Sequence, residues 1–178
     1  MRVFLHHGDL LSIPGVDSIA LPVDGRGPGL EGSVAHQLLR LFEAESLNDL
    51  YEVEPDYPFN GRAHWSQLAP RQGLAFQWVC ALGTGIRSSS GIDGAGGGRA
   101  VYKQTARAAF ADMIRQSSSG NLGTRIACPV LSGGGRIPTV EAALMMLDET
   151  THWSQSELEV HIVEHNADHF ALLRPYFD

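Results

Sequence analysis

Three glycine-rich stretches in this chain each follow a short apolar run and precede a segment of helical periodicity. They are Gly25-Arg26-Gly27-Pro28-Gly29-Leu30-Glu31-Gly32, the stretch from Gly83 to Arg99, and Ser132-Gly133-Gly134-Gly135-Arg136. Strand, glycine turn and helix in repeated succession restrict the chain to an α/β fold with parallel strands, because parallel neighbours need a crossover and a helix supplies it. The same arrangement lets backbone N–H groups approach an anion at a helix N-terminus. One such loop is weak evidence. Three on one chain, carrying Arg26, Arg87, Arg99 and Arg136, point to a single anionic ligand at one edge of the sheet.

The remaining periodicities fill in the sheet. Val3-Phe4-Leu5, Ser18 to Val23, Ala63 to Ala69, Leu74 to Leu82, Arg125 to Leu131 and Leu158 to Val163 read as strands. The two central runs are joined by Pro70-Arg71-Gln72-Gly73, a turn signal that predicts an antiparallel pair and hence a mixed sheet. Helical faces follow at Val34, Leu38, Leu41 and Phe42, at Tyr102, Ala106, Ala109, Phe110 and Met113, and at Val140, Ala143, Leu144 and Leu147. A last short helix begins near Ala167. Ser33, Thr139 and Asn166 are the expected N-caps. Residues 45 to 62 are acidic, contain Pro55 and Pro58, and read as an irregular connection. Five or six strands interleaved with four helices predict a three-layer α/β/α sandwich, formed as one domain over residues 1–178.

Composition limits the partners. The net charge is −7, which argues against direct nucleic-acid binding, since that requires a basic face. No apolar run reaches membrane-spanning length, and the apolar start is too short for a signal peptide and breaks at His6-His7-Gly8-Asp9. A cytoplasmic location is therefore expected. Cys80 and Cys128 both lie in apolar runs and read as buried strand thiols, with neither a disulfide framework nor zinc spacing. His161, His165 and His169 recur every fourth residue, but the first falls in a strand and the last at a helix start. No common helical face exists, and no metal is expected.

Read in order, the segments resemble the macro domain, the ADP-ribose-binding α/β/α module. Gly8-Asp9-Leu10 is similar to its Gly-Asp-Ile/Leu motif, and Val16-Asp17-Ser18-Ile19-Ala20 to its Val-Asp-Ala-Ile-Val run. Glu31-Gly32-Ser33-Val34-Ala35 resembles the Gly-Gly-Gly-Val-Ala entry to the first long helix. Ala127 to Gly133 resembles the Phe-Pro-Ala-Ile-Ser-Thr-Gly strand and second phosphate loop, followed by Pro138 and Glu141-Ala142-Ala143 for Pro-x-x-Glu-Ala-Ala. The likeness covers nearly the whole chain, through motifs that are each degenerate.

The resemblance implies roles for particular residues. Asp9 would accept from an adenine amino group, with the Leu10 backbone beside it. Gly32, Ser33 and Val34 would line the first phosphate loop. Ser132, Gly133, Gly134 and Gly135 would wrap the diphosphate and distal ribose, with Arg136 nearby. It implies an ADP-ribose-like small molecule or an ADP-ribosylated macromolecule as partner, and no cofactor. Two departures fall on the ribose side. Leu21-Pro22-Val23-Asp24 stands where the family usually has Asn-Ala-Ala-Asn, and the aromatic that usually covers the ribose is absent.

Each residue also has a plainer reading. Asp9 and Asp24 are both common turn residues, and Arg136 could be a solvated loop cation. In the functional reading Asp24 accepts ribose hydroxyls or polarises a water for attack on the anomeric carbon, which makes it the candidate catalytic residue of an ADP-ribosyl hydrolase. The alternative is a non-catalytic regulatory or protein-interaction domain with a drifted pocket. A dinucleotide-dependent oxidoreductase fits less well, because Gly25, Gly27 and Gly29 run into Leu30 without completing Gly-x-Gly-x-x-Gly.

Overall fold

In the computed structural model, residues 1–24, 33–42, 60–68, 76–85, 98–120, 122–133, 136–154 and 156–177 are described. The element order is β1 (Arg2–His7), β2 (Ser18–Asp24), α1 (Ser33–Phe42), β3 (Ala63–Gln67), β4 (Trp78–Gly85), α2 (Arg99–Ser119), β5 (Arg125–Pro129), α3 (Thr139–Thr151), β6 (Glu159–Glu164) and α4 (Ala167–Leu173). Short 3-10 turns occupy Leu10–Ser12 and Arg174–Tyr176. The six strands form one sheet in the order β1-β6-β5-β2-β4-β3. All neighbours are parallel except β3, which runs antiparallel to β4, so the sheet is mixed as the turn signal predicts.

Alternation along the central strands divides the core into two layers. Ala20, Cys80, Leu82, Ile126, Cys128, Val160 and Ile162 face α2, α3 and α4, where Phe110, Met113, Ile114 and Met146 are fully buried. Each of these large side chains contributes about 2 kcal/mol by leaving water. The opposite residues, Ile19, Leu21, Val79, Ala81, Ala127 and Val163, pack under Leu38 and Leu39 of α1 and Leu10 of the first 3-10 turn. The result is a three-layer α/β/α sandwich. Cys80 and Cys128 are both buried with free thiols, and burial pushes both thiols up in pKa.

Several boundaries differ from the sequence reading, each for a local reason. β4 runs on through Gly83 and Gly85, so the middle glycine stretch begins inside a strand. Gly61 N–H bonds the Gly83 carbonyl at 2.7 Å and Gly83 N–H bonds the Arg62 carbonyl at 3.0 Å, so pairing overrides the weak strand preference of glycine. β5 stops at Pro129, which has no N–H to continue a ladder. The cap of α3 is Pro138, with no side-chain hydrogen bond, and Thr139 is already helical. Ser33 is likewise the first helical residue of α1. Asn166 does cap α4, its side chain accepting from the His169 N–H at 3.0 Å. The turn at 70–73 and the connection at 45–59 lie outside the described residues.

At the N-terminal edge of the parallel strands, Asp17 gathers the chain. Its carboxylate accepts from Thr124 N–H, Arg125 N–H, Thr124 Oγ1 and Ser18 Oγ at 2.6–3.2 Å. Its carbonyl accepts from the N–H groups of Gln77 and Trp78 at 2.8 and 3.2 Å. This edge is closed on itself, which leaves the opposite edge for the glycine loops.

Candidate ligand site at the carboxyl edge of the sheet

All four α-helices run against the parallel strands, so their N-termini collect at the strands' carboxyl edge. There the unpaired N–H groups and the positive ends of the helix dipoles favour an anion. Gly98 before α2 and Pro138 before α3 provide no side-chain cap, so nothing from a cap residue competes for those N–H groups. In open α/β sheets this is the edge where ligands bind.

Asp9 stands at the tip of the edge strand β1. Gly8, at φ +149°, turns the chain there, and its N–H bonds the Glu164 carbonyl at 3.2 Å. The exposed Asp9 side chain caps the following 3-10 turn: Oδ1 accepts from Leu11 N–H at 3.1 Å, and Oδ2 lies 3.5 Å from Ser12 Oγ. The turn role is thus real. It does not exhaust the group, because a carboxylate offers about four acceptor sites and Oδ2 keeps capacity for an external donor. Leu10 is buried, so its side chain anchors the turn to the α1 layer.

Next in the sheet, Glu164 ends β6 with a carboxylate that is 7% exposed. It accepts from Asn166 N–H at 2.9 Å, with His165 Nδ1 at 3.4 Å and His169 Nδ1 at 3.9 Å. Among the described residues no group of three or more His, Cys, Asp or Glu is placed to hold a metal ion. His161, His165 and His169 lie in a strand, a connection and a helix respectively.

After β5 the chain enters the third glycine loop. Ser132 N–H bonds the Val130 carbonyl at 2.8 Å, and the Ser132 carbonyl accepts from Ile137 N–H at 3.1 Å, which closes the loop at its base. Gly133 adopts φ +63°, and a Cβ there would lie 2.5 Å from Cζ of Tyr102, so only glycine fits. The exposed Arg136 places its guanidinium carbon 5.8 Å from the centroid of the same ring. Gly134 and Gly135 lie outside the described residues.

Asp24 is the last residue of β2, paired with Gly85 beyond a register shift at Val23. β2 lies between β5 and β4 in the sheet; its registered pairing with β5 is confined to Ser18–Ile126 and Ile19–Ala127, and Asp24 reaches the carboxyl edge beside β4. Val34 is half-buried against the α1 layer. Ser33 opens α1, and Gly32 with the first glycine loop lies outside the described residues, as do Arg26 and Arg87. Arg99 does not join an anion cluster among the described residues: it pairs with Glu141, which also takes Lys103 at 3.0 Å and so ties α2 to α3.

Sequence reasoning missed Tyr102 and Glu164. Tyr102 reads as one more apolar position of α2, and only the packing reveals it under the third loop. Glu164 had a faint signal, a carboxylate directly after the apolar pair Ile162-Val163.

No protein-family profile matches the sequence, and no curated protein matches it. Solved structures do. The macrodomain of Thermus aquaticus DarG superposes with a TM-score of 0.63 at 18% identity, over 92% of this chain and 98% of that one. A Trypanosoma brucei macrodomain in complex with ADP-ribose gives 0.69 at 14% identity, over 99% of this chain and 69% of that one. The chain has the macrodomain fold. The macrodomain of Mycobacterium tuberculosis DarG agrees, with 0.60 at 15% identity over 93% of this chain and 99% of that one. At these identities a macrodomain fold is what the likeness carries, and the chemistry has to be argued from the residues.

Proposed function

We propose that this chain binds ADP-ribose or a related nucleoside diphosphate at the carboxyl edge of its sheet. The observation that carries this is the exposed Asp9 carboxylate at the tip of β1, in a fold whose structural neighbours include macrodomains bound to ADP-ribose and to ADP. In this reading Asp9 and Leu10 receive the adenine. Gly32, Ser33 and Val34 form one phosphate wall, and Ser132 to Gly135 with Arg136 form the other. The domain spans residues 1–178 and acts in the cytoplasm on the free nucleotide or on an ADP-ribosylated macromolecule. No helix among the described residues is long and apolar enough to cross a membrane.

Calorimetric titration with ADP-ribose tests the reading. A saturable heat is expected, and its absence at millimolar ligand overturns the proposal.

The finer reading is hydrolysis of an ADP-ribosyl linkage, with Asp24 at the ribose end orienting a hydroxyl or polarising water. Its rival is a non-catalytic binding or interaction domain, favoured by Leu21-Pro22-Val23-Asp24 in place of Asn-Ala-Ala-Asn. Release of ADP-ribose from a modified substrate, abolished in Asp24→Ala, decides for the hydrolase. Binding without turnover decides for the rival.

A further inference from the structure

Three contacts converge on Tyr102 from the loop that follows β5. The Tyr102 hydroxyl lies 3.4 Å from the Leu131 carbonyl at the start of the loop. The ring lies under Gly133 in its middle, with Cζ, Cε1 and Cε2 all within 2.5–2.8 Å of where a Cβ would stand. Its π face carries Arg136 at the loop's far end, 5.8 Å from the centroid. Thr84, near the end of β4, is a polar neighbour of the same hydroxyl. Tyr102 is 4% exposed and Thr84 3% exposed, so this is a buried post. The Tyr102 hydroxyl donates to the Leu131 carbonyl. Burial raises the phenol's pKa, so the hydroxyl remains a donor throughout the neutral range.

The arrangement has a direction. α2 is fixed to α3 by Arg99 and Lys103 on Glu141 and by Arg107 on Asp148 and Glu149. The ring is therefore held from the helix layer, and the loop is set down upon it. Glycine at 133 is required by the ring beneath as well as by the backbone angle, and the Arg136 cation is drawn toward the ring quadrupole.

Resting on the binding reading above, we propose that Tyr102 is the positioning residue of the third glycine loop. It sets the height of the Leu131–Gly133 backbone and aims the Arg136 guanidinium at the ligand's diphosphate, without touching the ligand. A planar guanidinium binds phosphate well only when oriented, so orientation is worth affinity.

The test measures ADP-ribose and adenosine affinities calorimetrically on folded protein, verified by circular dichroism. Tyr102→Phe keeps the ring and loses the hydroxyl, and weakens ADP-ribose by about threefold. Tyr102→Leu loses the π face as well and weakens it about tenfold. Arg136→Gln also costs about tenfold, and the double variant is little weaker than either single one, because the cation is useful only when seated. Adenosine affinity stays constant in all of them, which a general loss of structure would not produce.

Should Tyr102→Leu fail to fold, Gly133→Ala drives a methyl into the ring, and it is expected to weaken ADP-ribose at least about tenfold with adenosine unchanged. Wild-type ADP-ribose affinity in Tyr102→Leu or Gly133→Ala, or fully additive losses in the double variant, overturns the inference alone. Failure of the wild-type protein to bind ADP-ribose removes the binding reading and this inference with it.

Discussion

The two ends of the parallel sheet are built on opposite plans. At the amino end, the Asp17 carboxylate is saturated from inside by Thr124, Arg125 and Ser18, and Gly123 packs so tightly that a Cβ would stand 1.4 Å from Ser18 Oγ. At the carboxyl end, Asp9 keeps acceptor capacity, two helix N-termini lack side-chain caps, and a cation rests on an aromatic face. The same residue types, aspartate and glycine, do different work at the two ends. What distinguishes the two aspartates is how much of their acceptor capacity the chain itself uses.

The largest effect that would break this comparison lies at the closed end. Gly123→Ala has no room, since the obstacle is a fully buried serine. It should lower stability by more than about 4 kcal/mol, read as a loss of folded protein or a collapsed denaturation midpoint. Asp17→Ala removes charge-assisted bonds to two backbone N–H groups that are then left poorly satisfied, for about 2–3 kcal/mol in urea melts. Neither substitution should alter the ADP-ribose affinity of the protein that remains folded. A change in affinity without a change in stability at Asp17 would show that the two ends are not separate.

At the open end the ranking reverses, with small effects on stability and large ones on binding. Asp9→Asn keeps an N-cap oxygen for Leu11, so its melting temperature should stay near wild type. The amide nitrogen then occupies the position of Oδ2 and presents a donor to the adenine amino donor, so ADP-ribose should bind about tenfold more weakly. Asp9→Ala should lose the cap as well, about 0.5–1 kcal/mol in a melt. Equal ADP-ribose affinity in wild type and Asp9→Asn would reduce Asp9 to a turn residue.

Much of this contrast was legible in the sequence, unevenly. The glycine stretches pointed to the open edge, and the apolar runs Ser18 to Val23 and Arg125 to Leu131 placed the central strands, because burial on both faces leaves continuous apolar runs. Asp17 was visible only as part of a run similar to a family motif. Its job depends on Thr124 and Arg125, more than a hundred residues away, and no local pattern reports that. Gly133 read as a phosphate-loop glycine, yet the reason it must be glycine includes Tyr102 of α2. Arg99 read as an anion ligand by its place at a glycine stretch, whereas helix packing gives it Glu141. Periodicity records which face is buried, and it is silent on which polar atoms meet.

The smallest predicted effect sharpens the comparison at the sheet's β1 margin, between the two ends. His6 Nε2 and His161 Nδ1 are 2.8 Å apart across β1 and β6, with ring centroids at 4.9 Å and Phe4 stacked on His161. That centroid separation is close to the greatest a 2.8 Å contact allows, so one ring's N–H points nearly along the other's lone pair. Burial lowers the pKa of both rings, and the neighbouring His6 and Arg125 lower that of His161 further, while Glu159 opposes this. Glu159 is itself engaged by Arg2. Because the folded pKa values lie below the unfolded value of about 6.5, both rings are neutral in either state above that pH and the pair gives no pH dependence there. As the pH falls below about 6.5, the unfolded chain takes protons first, and stability declines until the folded pKa values are passed. Melting curves between about pH 7 and pH 5 should show this decline in wild type and a shallower one in His6→Gln. β1 delivers Asp9, so ADP-ribose affinity should fall over the same interval in wild type more than in His6→Gln. Parallel pH profiles for the two proteins would mean that the histidine pair does not couple the strand to the site.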